Sequence, residues 1–480
     1  MLEQVKFKER KATGAVPETI LVLLKTRYWM TLEKKLKRFN KKWPAYANQQ
    51  SKLFCGLGLT ALLITPAQQV VAGGFQLSDH SITSLGRNHA GYGIVGDDAS
   101  AIQFNPAGLT LLTDKQFQFG FTLNSISAEV ENEGSNAFGG SIAGPDEDGA
   151  PDLAGAPNLY YVHPINDRLV AGIGIVSPFG TDTDYSDSFF GRFSGTVTNL
   201  VTIDINPSIA YKINDVVSIG GGLSLQTADV TLDSRIPLGP ASGDGGFEAD
   251  GDNVGFGFNI GITVDLPDSS RLGFSVRSGI EHDIDADTVF DLPASNPISA
   301  FGGAFGAEAV FESPATAYLA YLKPITEDYF FTAGIRWTQW NTFEEIRFEF
   351  DDAGGPNPLT TNDAVTPVNW ENSFTYAVGI DGRINNQWGW RAGVSFTETP
   401  ATDDETRSVR TIDSDRTAIS FGGSYKPLPQ LTLDFAYRFI SFADTSINQP
   451  IISQGAPVGA TIGSISPNVN TLAIQANYKF

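Results

Sequence analysis

Residues able to do covalent or metal chemistry are few in this chain and poorly spaced. Four histidines, His80, His89, His163 and His282, stand far apart with no metal-like spacing. Cys55 is the single cysteine, so an intrachain disulfide is excluded. No nucleophile motif is present. Gly172-Ile173-Gly174 and Gly220-Gly221-Gly222 lie in strand-like runs with no following helix, which makes them poor phosphate loops. The acidic stretch Asp244–Asp252 has the composition of a Ca²⁺ loop, but a solvated surface loop is expected there. The expectation is therefore no enzyme, no cofactor and no metal. What remains is buried charge. Arg277, Arg336, Arg391, Arg416 and Arg438 fall on the polar side of alternating runs, with Asp97, Asp98, Asp204, Asp381 and Asp434 available as partners. Such cations serve as structural ion pairs or bind an acidic group in an apolar site. Spacing alone leaves both open.

The elements that must position these residues are strands. From Gln116 onward, short runs alternate apolar and polar residues. The last is the cleanest: Leu472, Ile474, Ala476, Tyr478 and Phe480 oppose Ala473, Gln475, Asn477 and Lys479. Side chains of a strand point to alternate faces, so each run has one greasy and one polar side. About fourteen such runs begin near Gln116, Asn158, Leu169, Leu200, Val217, Asn253, Arg271, Ala315, Tyr329, Ser373, Trp388, Asp415, Gln430 and Thr471. Tight turns at Asn166-Asp167, Asn214-Asp215, Pro267-Asp268, Asn385-Asn386 and Pro427-Leu428-Pro429 alternate with long Gly/Asp/Pro/Ser stretches. The long ones span 127–156, 235–252, 286–313, 351–371, 398–414 and 443–470. An even strand count with short turns on one side and long loops on the other describes an outer-membrane barrel. The polar faces hold too much charge and Gly for a sandwich core, whereas lipid outside and a filled lumen inside suit both faces. Tyr160, Trp337, Trp340, Trp388, Tyr437 and Tyr478 are expected in interfacial aromatic girdles. The fold class predicted is all-β, a 14-stranded antiparallel transmembrane β-barrel with an N-terminal hatch in its lumen.

Composition agrees. Of 480 residues 50 are Gly and 33 Phe, against two Met and one Cys. Of the 32 Lys and Arg, 13 precede Gly73, whereas only 4 of the 54 Asp and Glu do, leaving the remainder at a net charge of −31. No basic cluster follows Lys52, which argues against nucleic acid as a partner. Residues 1–72 read as a leader. Lys34, Lys35, Lys37, Arg38, Lys41, Lys42 and Lys52 form a basic region, Leu53–Ile64 an apolar run too short to span a bilayer, and Ala72 offers a cleavage site. The leader is long for a secretory signal, and Met30 is the expected true start. Residues 73–114 form a polar, aperiodic segment and 115–480 the barrel.

Specific residues then point to a family. Gly74-Phe75-Gln76-Leu77, Gly86-Arg87, Asp97-Asp98-Ala99 and above all Asn105-Pro106-Ala107 resemble the N-terminal hatch of FadL-type (FadL/TodX) outer-membrane transporters of long-chain fatty acids and hydrophobic compounds. Ser177-Pro178-Phe179-Gly180, Gly255-Phe256-Gly257-Phe258, Trp337-Thr338-Gln339-Trp340 and terminal Phe480 extend the resemblance over the whole region after the leader. It implies a Gram-negative outer membrane location and a hatched barrel. It further implies hydrophobic substrate bound in an outer groove and then a deep pocket, with lateral exit at a kink in the third strand. By the same resemblance Phe75 fills the deep pocket, Asn105, Pro106 and Ala107 form a latch, and Ser177, Pro178, Phe179 and Gly180 the kink. The loop that follows, with Phe179, Tyr185, Phe189, Phe190 and Phe193, is a further candidate groove wall.

Candidate headgroup cations are Arg277, Arg336, Arg391 and Arg438. The family's basic residue on strand five is missing, since Thr227-Ala228-Asp229 occupies that region and Arg235 is merely nearby. The substrate is therefore a fatty acid or, in the family's other branches, an aromatic hydrocarbon. Outer-membrane lipid and lipopolysaccharide are the expected surroundings, with a monomer the expected assembly. A general porin or an adhesin is the rival reading.

Overall fold

A computed structural model describes residues 74–480, apart from 152, 240–242, 356 and 454. The leader and the Met30 start lie outside the described residues. All fourteen expected runs fall on strands: β1 (Gln116–Ser127), β2 (Ala154–Pro164), β3 (Leu169–Val176, resumed as Gly180–Asp184), β4 (Val197–Lys212), β5 (Val217–Ile236), β6 (Gly245–Asp265), β7 (Arg271–Arg277, resumed as Ile280–Asp291), β8 (Gly303–Ser313, resumed as Thr316–Pro324), β9 (Tyr329–Thr338), β10 (Ser373–Arg383), β11 (Trp388–Thr397), β12 (Arg416–Leu428), β13 (Leu431–Phe442) and β14 (Asn468–Lys479). Each pairs antiparallel with its sequence neighbours, and β1 closes on β14 through the register Gln116↔Lys479 to Ser127↔Asn468. Closure pairs the backbone polar groups of the wall with one another, the stretch past Ile175 between β2 and β3 excepted.

The two faces have the polarity of a membrane protein, apolar outside and polar within. Outward side chains such as Leu223, Phe256, Phe421, Leu472 and Ile474 are exposed, whereas inward Gln118, Thr122, Thr332 and Thr471 are fully buried. The lumen owes its burial to residues 74–112. Helix α1 (Ile82–Leu85), capped by the Ser81 hydroxyl, packs on β12, β13 and β14. Helix α2 (Ala101–Phe104) leads into a 3-10 helix over Pro106–Leu111 that lies against β4, β5 and β6. Wall side chains satisfy this segment's backbone: Gln475 accepts from Ile82 N–H at 3.1 Å, while Asn259, Ser275 and Tyr160 donate to the carbonyls of Ile102, Phe104 and His80 at 2.8, 2.6 and 2.8 Å. That is what the polar face of each strand is for.

Three stretches expected as long loops, 235–252, 286–313 and 443–470, are mostly strand. Pairing of β5 with β6 runs on to Ile236↔Gly245, and β7 pairs β8 from Ile280↔Ser313 to Phe290↔Gly303. The Asp244–Asp252 segment therefore lies chiefly at the start of β6. Asp and Gly are poor strand formers, but here they alternate with Ala249, Ala286, Phe290 and Ala307, whose shared burial with Phe348 and Phe350 outweighs propensity. A span needs roughly 9–11 residues, so about ten residues of the 20-residue β5 and 21-residue β6 project beyond the bilayer. The long hairpins mark the outer end by the general rule for such barrels. A separate six-stranded sheet, built from residues 129–148 and 445–465, folds over part of that end.

The aromatic girdle holds in part. Trp388, Tyr437 and Tyr478 are exposed on the outer face. Tyr160 and Trp340 are instead buried inside, the first donating to the hatch at His80 and the second packed on Phe75.

Candidate functional site

The first residues of the hatch enter a nest of aromatic rings. Phe75 lies 4.6 Å from Trp340, 5.4 Å from Phe343, 5.5 Å from Phe311, 5.6 Å from Trp370 and 6.2 Å from Phe179, centroid to centroid. Gly74 makes this approach feasible. Its φ is +65°, and a Cβ there would sit 2.5 Å from Trp370 and 2.8 Å from Trp340. Beside Phe75 an apolar cavity of about 90 Å³ opens among β4–β8 and the 343–348 segment, walled by Leu200, Val230, Ile284, Phe311, Phe343 and Ile346.

Two cations reach that cavity. Arg347 is neutralised by Glu345 and Asp363, each at 2.6 Å. The hydrogen bonds of Arg410 go to neutral acceptors, the carbonyls of Val197 and Asp233 at 2.8 Å and the Thr198 hydroxyl at 3.1 Å, with Asp233 also its nearby counter-charge. Burial pushes its guanidinium down to about 10, so it stays charged at neutral pH. Sequence reasoning missed Arg410 because it sits in the 398–414 loop, outside any alternating run. The signal lay in the loop's Ser408-Val409-Arg410-Thr411, an apolar residue beside a cation in an otherwise acidic stretch.

The four cations nominated from alternation do face inward, but they pack under or beside the hatch and none lines this cavity. Arg277 pairs with Asp204 at 2.7 Å and with the Gln103 side chain. Arg391 bridges Asp381 and Asp434, each at 3.0 Å, and Asp381 also takes Arg87 of the hatch. Arg438 holds Asp79 at 2.7 Å. Arg336 donates to Ser78 and Thr375 hydroxyls. Asp97 pairs with Arg87, whereas Asp98 accepts from Ser81 and Ser100. Of the aromatic loop, only Phe179 joins Phe75. Tyr185, Phe189 and Phe190 stack together with Val409 and Ile447 in a separate core beneath the small outer sheet.

The third strand is broken where the sequence placed a Pro. Pairing of β2 with β3 ends at Leu159↔Ile175, although β2 continues to Ala154 on its other side. Past this point the seam between β2 and β3 has no ladder among the described residues. Ser177-Pro178-Phe179 bends away, and its backbone is taken up from within. Leu77 N–H donates to Pro178 O and Gly180 N–H to Phe75 O, both at 2.9 Å, with Gln76 bridged to Phe179. Phe75, set among the rings, and the residues that bond the kink backbone thus share one short segment.

Asn105-Pro106-Ala107 sits deep against the wall. Asn105 caps the Ala107 N–H at 3.1 Å and donates to Ile262 O at 3.2 Å. It fits because β6 carries Gly261, where a Cβ would lie 2.1 Å from the Asn105 Oδ1.

A closed, lipid-facing, plugged barrel defines the class: a multi-pass protein of the bacterial outer membrane. Residues 63–480 match the outer membrane protein transport protein family (OMPP1/FadL/TodX), and the chain belongs to that family. It is an outer-membrane transporter of hydrophobic compounds. The long-chain fatty acid transport protein of Salmonella typhi is 24% identical over 424 residues, covering 83% of this chain and 94% of its own length. The protein of that name from Escherichia coli O6:H1 is 27% identical over 406 residues, covering 78% and 88%. Among solved structures, a Pseudomonas aeruginosa FadL homologue superposes with a TM-score of 0.77 at 22% identity, covering 85% of this chain and all of its own. The Pseudomonas putida toluene transporter TodX gives 0.61 at 16% identity, covering 85% and 99%. At these identities the solved structures speak for the fold alone.

Proposed function

We propose that this protein takes up long-chain fatty acids by diffusion and releases them sideways into the membrane through the break in β3. The carrying observation is the pairing of an apolar cavity with Arg410, a cation whose hydrogen bonds go to neutral acceptors and whose charge, among the described residues, is offset only by Asp233. An acyl chain replaces Phe75 among the rings, and the carboxylate takes the donors of Arg410. Withdrawal of Phe75 removes the two hydrogen bonds that residues 75–77 make to the kink, which opens the β2–β3 seam. Lipid on the far side of that seam receives the tail without a passage through water.

The test is growth on oleate as sole carbon source in a host lacking its own transporter. Deleting Ser177–Phe179, which restores an uninterrupted strand, should abolish growth with heat-modifiable barrel assembly intact. Replacing Pro106 should do the same by disturbing the hatch. Unchanged uptake in both would defeat lateral exit, and large steady currents in planar bilayers would favour a porin. The twin reading, aromatic hydrocarbon uptake, is favoured by the named function of TodX and needs no cation.

A further inference from the structure

A second cavity of about 30 Å³, lined by Ser78 three residues after Phe75, is not used by the uptake route. Ser78, Asn88, His89 and Tyr92 of the hatch close it on one side, and Arg336 of β9, Arg416 of β12 and Arg438 of β13 line the other. All three arginines are at least nine-tenths buried. Their counter-charges fall one short. Arg416 pairs with Asp413 at 2.8 Å and Arg438 with Asp79 at 2.7 Å, while Arg336 makes no ion pair among the described residues. Its terminal nitrogens donate to the Ser78 and Thr375 hydroxyls at 3.1 and 2.9 Å. Its Nε, the Nε of Arg438 and both ring nitrogens of His89 are buried without a partner. A neutral His89 ring offers one further N–H donor. An unpaired buried charge is unfavourable enough that a counter-ion is expected where there is room for one. About 30 Å³ holds one or two water-sized atoms.

We infer that this cavity binds one small monovalent anion, with Arg336 as its main ligand and Arg438 completing the donor set. The shared chemistry is that of a chloride-sized ion or a compact carboxylate. The enclosed volume has no place for an acyl tail, so in the closed state the occupant is inorganic chloride or a one-carbon acid. The bound anion also has a structural consequence, because Ser78 and Asp79, which contact Arg336 and Arg438, lie three and four residues after Phe75.

The test uses the full protein purified in detergent. Moving it from sodium gluconate, whose anion is too large to enter, to sodium chloride at equal ionic strength should raise the melting temperature by roughly 3–5 °C at saturation. Sodium formate in place of chloride distinguishes the sources: equal protection marks a site that accepts carboxylate, and none marks a halide site. Arg336→Gln keeps a donor for the hydroxyls and should remove the anion dependence. A crystal grown in bromide should show an anomalous peak between Arg336 and Arg438, a readout that stands even where the variant fails to fold. Melting that ignores the anion, or a cavity holding water alone in bromide, overturns the inference.

Discussion

At the scale of single residues, Phe75 and Arg410 make opposite predictions. In the proposed uptake route the acyl chain takes the place of Phe75, so the two compete for the ring nest. Phe75→Ala should raise affinity for a long-chain acid while lowering stability, since truncating a buried Phe costs about 3–5 kcal/mol. Tryptophan fluorescence titration reads the first, through Trp340 and Trp370, which lie within 5.6 Å of the ring. Thermal melting reads the second. Arg410→Gln should weaken palmitate binding about 10- to 100-fold, the scale of one charged hydrogen bond, and leave toluene binding unchanged. Equal losses for both ligands would show that Arg410 is a packing residue. Phe75, Phe179 and the break at Pro178 were legible because a motif and a missing N–H donor announce themselves locally. Trp340 was misplaced in the girdle, and Phe311, Trp370 and Arg410 were not found, because only long-range closure of the outer hairpins brings them to Phe75.

At the scale of elements, the strand number and the inward face of Arg277, Arg336, Arg391, Arg416 and Arg438 followed from alternation, since period two leaves no third choice of direction. The lengths of the outer hairpins did not follow. Asp-rich alternation looks like a loop until the partner hairpin buries its other side. The strand glycines gain meaning only from the hatch. Gly261 gives room to Asn105, and Gly393 to the Arg87 backbone, which a Cβ would meet at 2.3 Å. Gly221 lies on the opposite face of its strand from Gly220 and Gly222, with nothing nearer than 3.4 Å. Gly261→Ala should therefore unseat the hatch, visible as raised bilayer conductance and protease cleavage after Asn105. Gly221→Ala should assemble normally and gain some 0.5–1 kcal/mol from lost chain entropy. Identical behaviour of the two would mean that the hatch is not seated by these slots.

At the scale of the whole molecule, the N-terminal segment, an outer loop and the barrel wall converge on Asp413. The carboxyl accepts from the Thr399 hydroxyl at 2.7 Å, from Arg416 of β12 and from the Gly74 N–H, and Asp415 is the nearest further acid. Burial, the dominant effect, pushes it up from 3.8 to about 6 despite Arg416. The folded protein thus holds a proton between about pH 4 and 6 that the unfolded chain has released. Stability from this group is fully present below about 4 and is lost as pH rises to about 6. Asp413→Asn cannot titrate, so the melting temperature of the native protein relative to that variant should fall across this window and then level off. Protonation also strips Arg416 of its partner and adds a positive charge to the cavity shared with Arg336 and Arg438. Chloride should therefore protect the native protein at lower concentration at pH 5 than at pH 8. In the variant, which carries the extra charge at every pH, the two titrations should coincide. A chloride midpoint that does not move with pH in the native protein would separate Asp413 from the anion site and leave it as a structural tie among Gly74, Thr399 and Arg416.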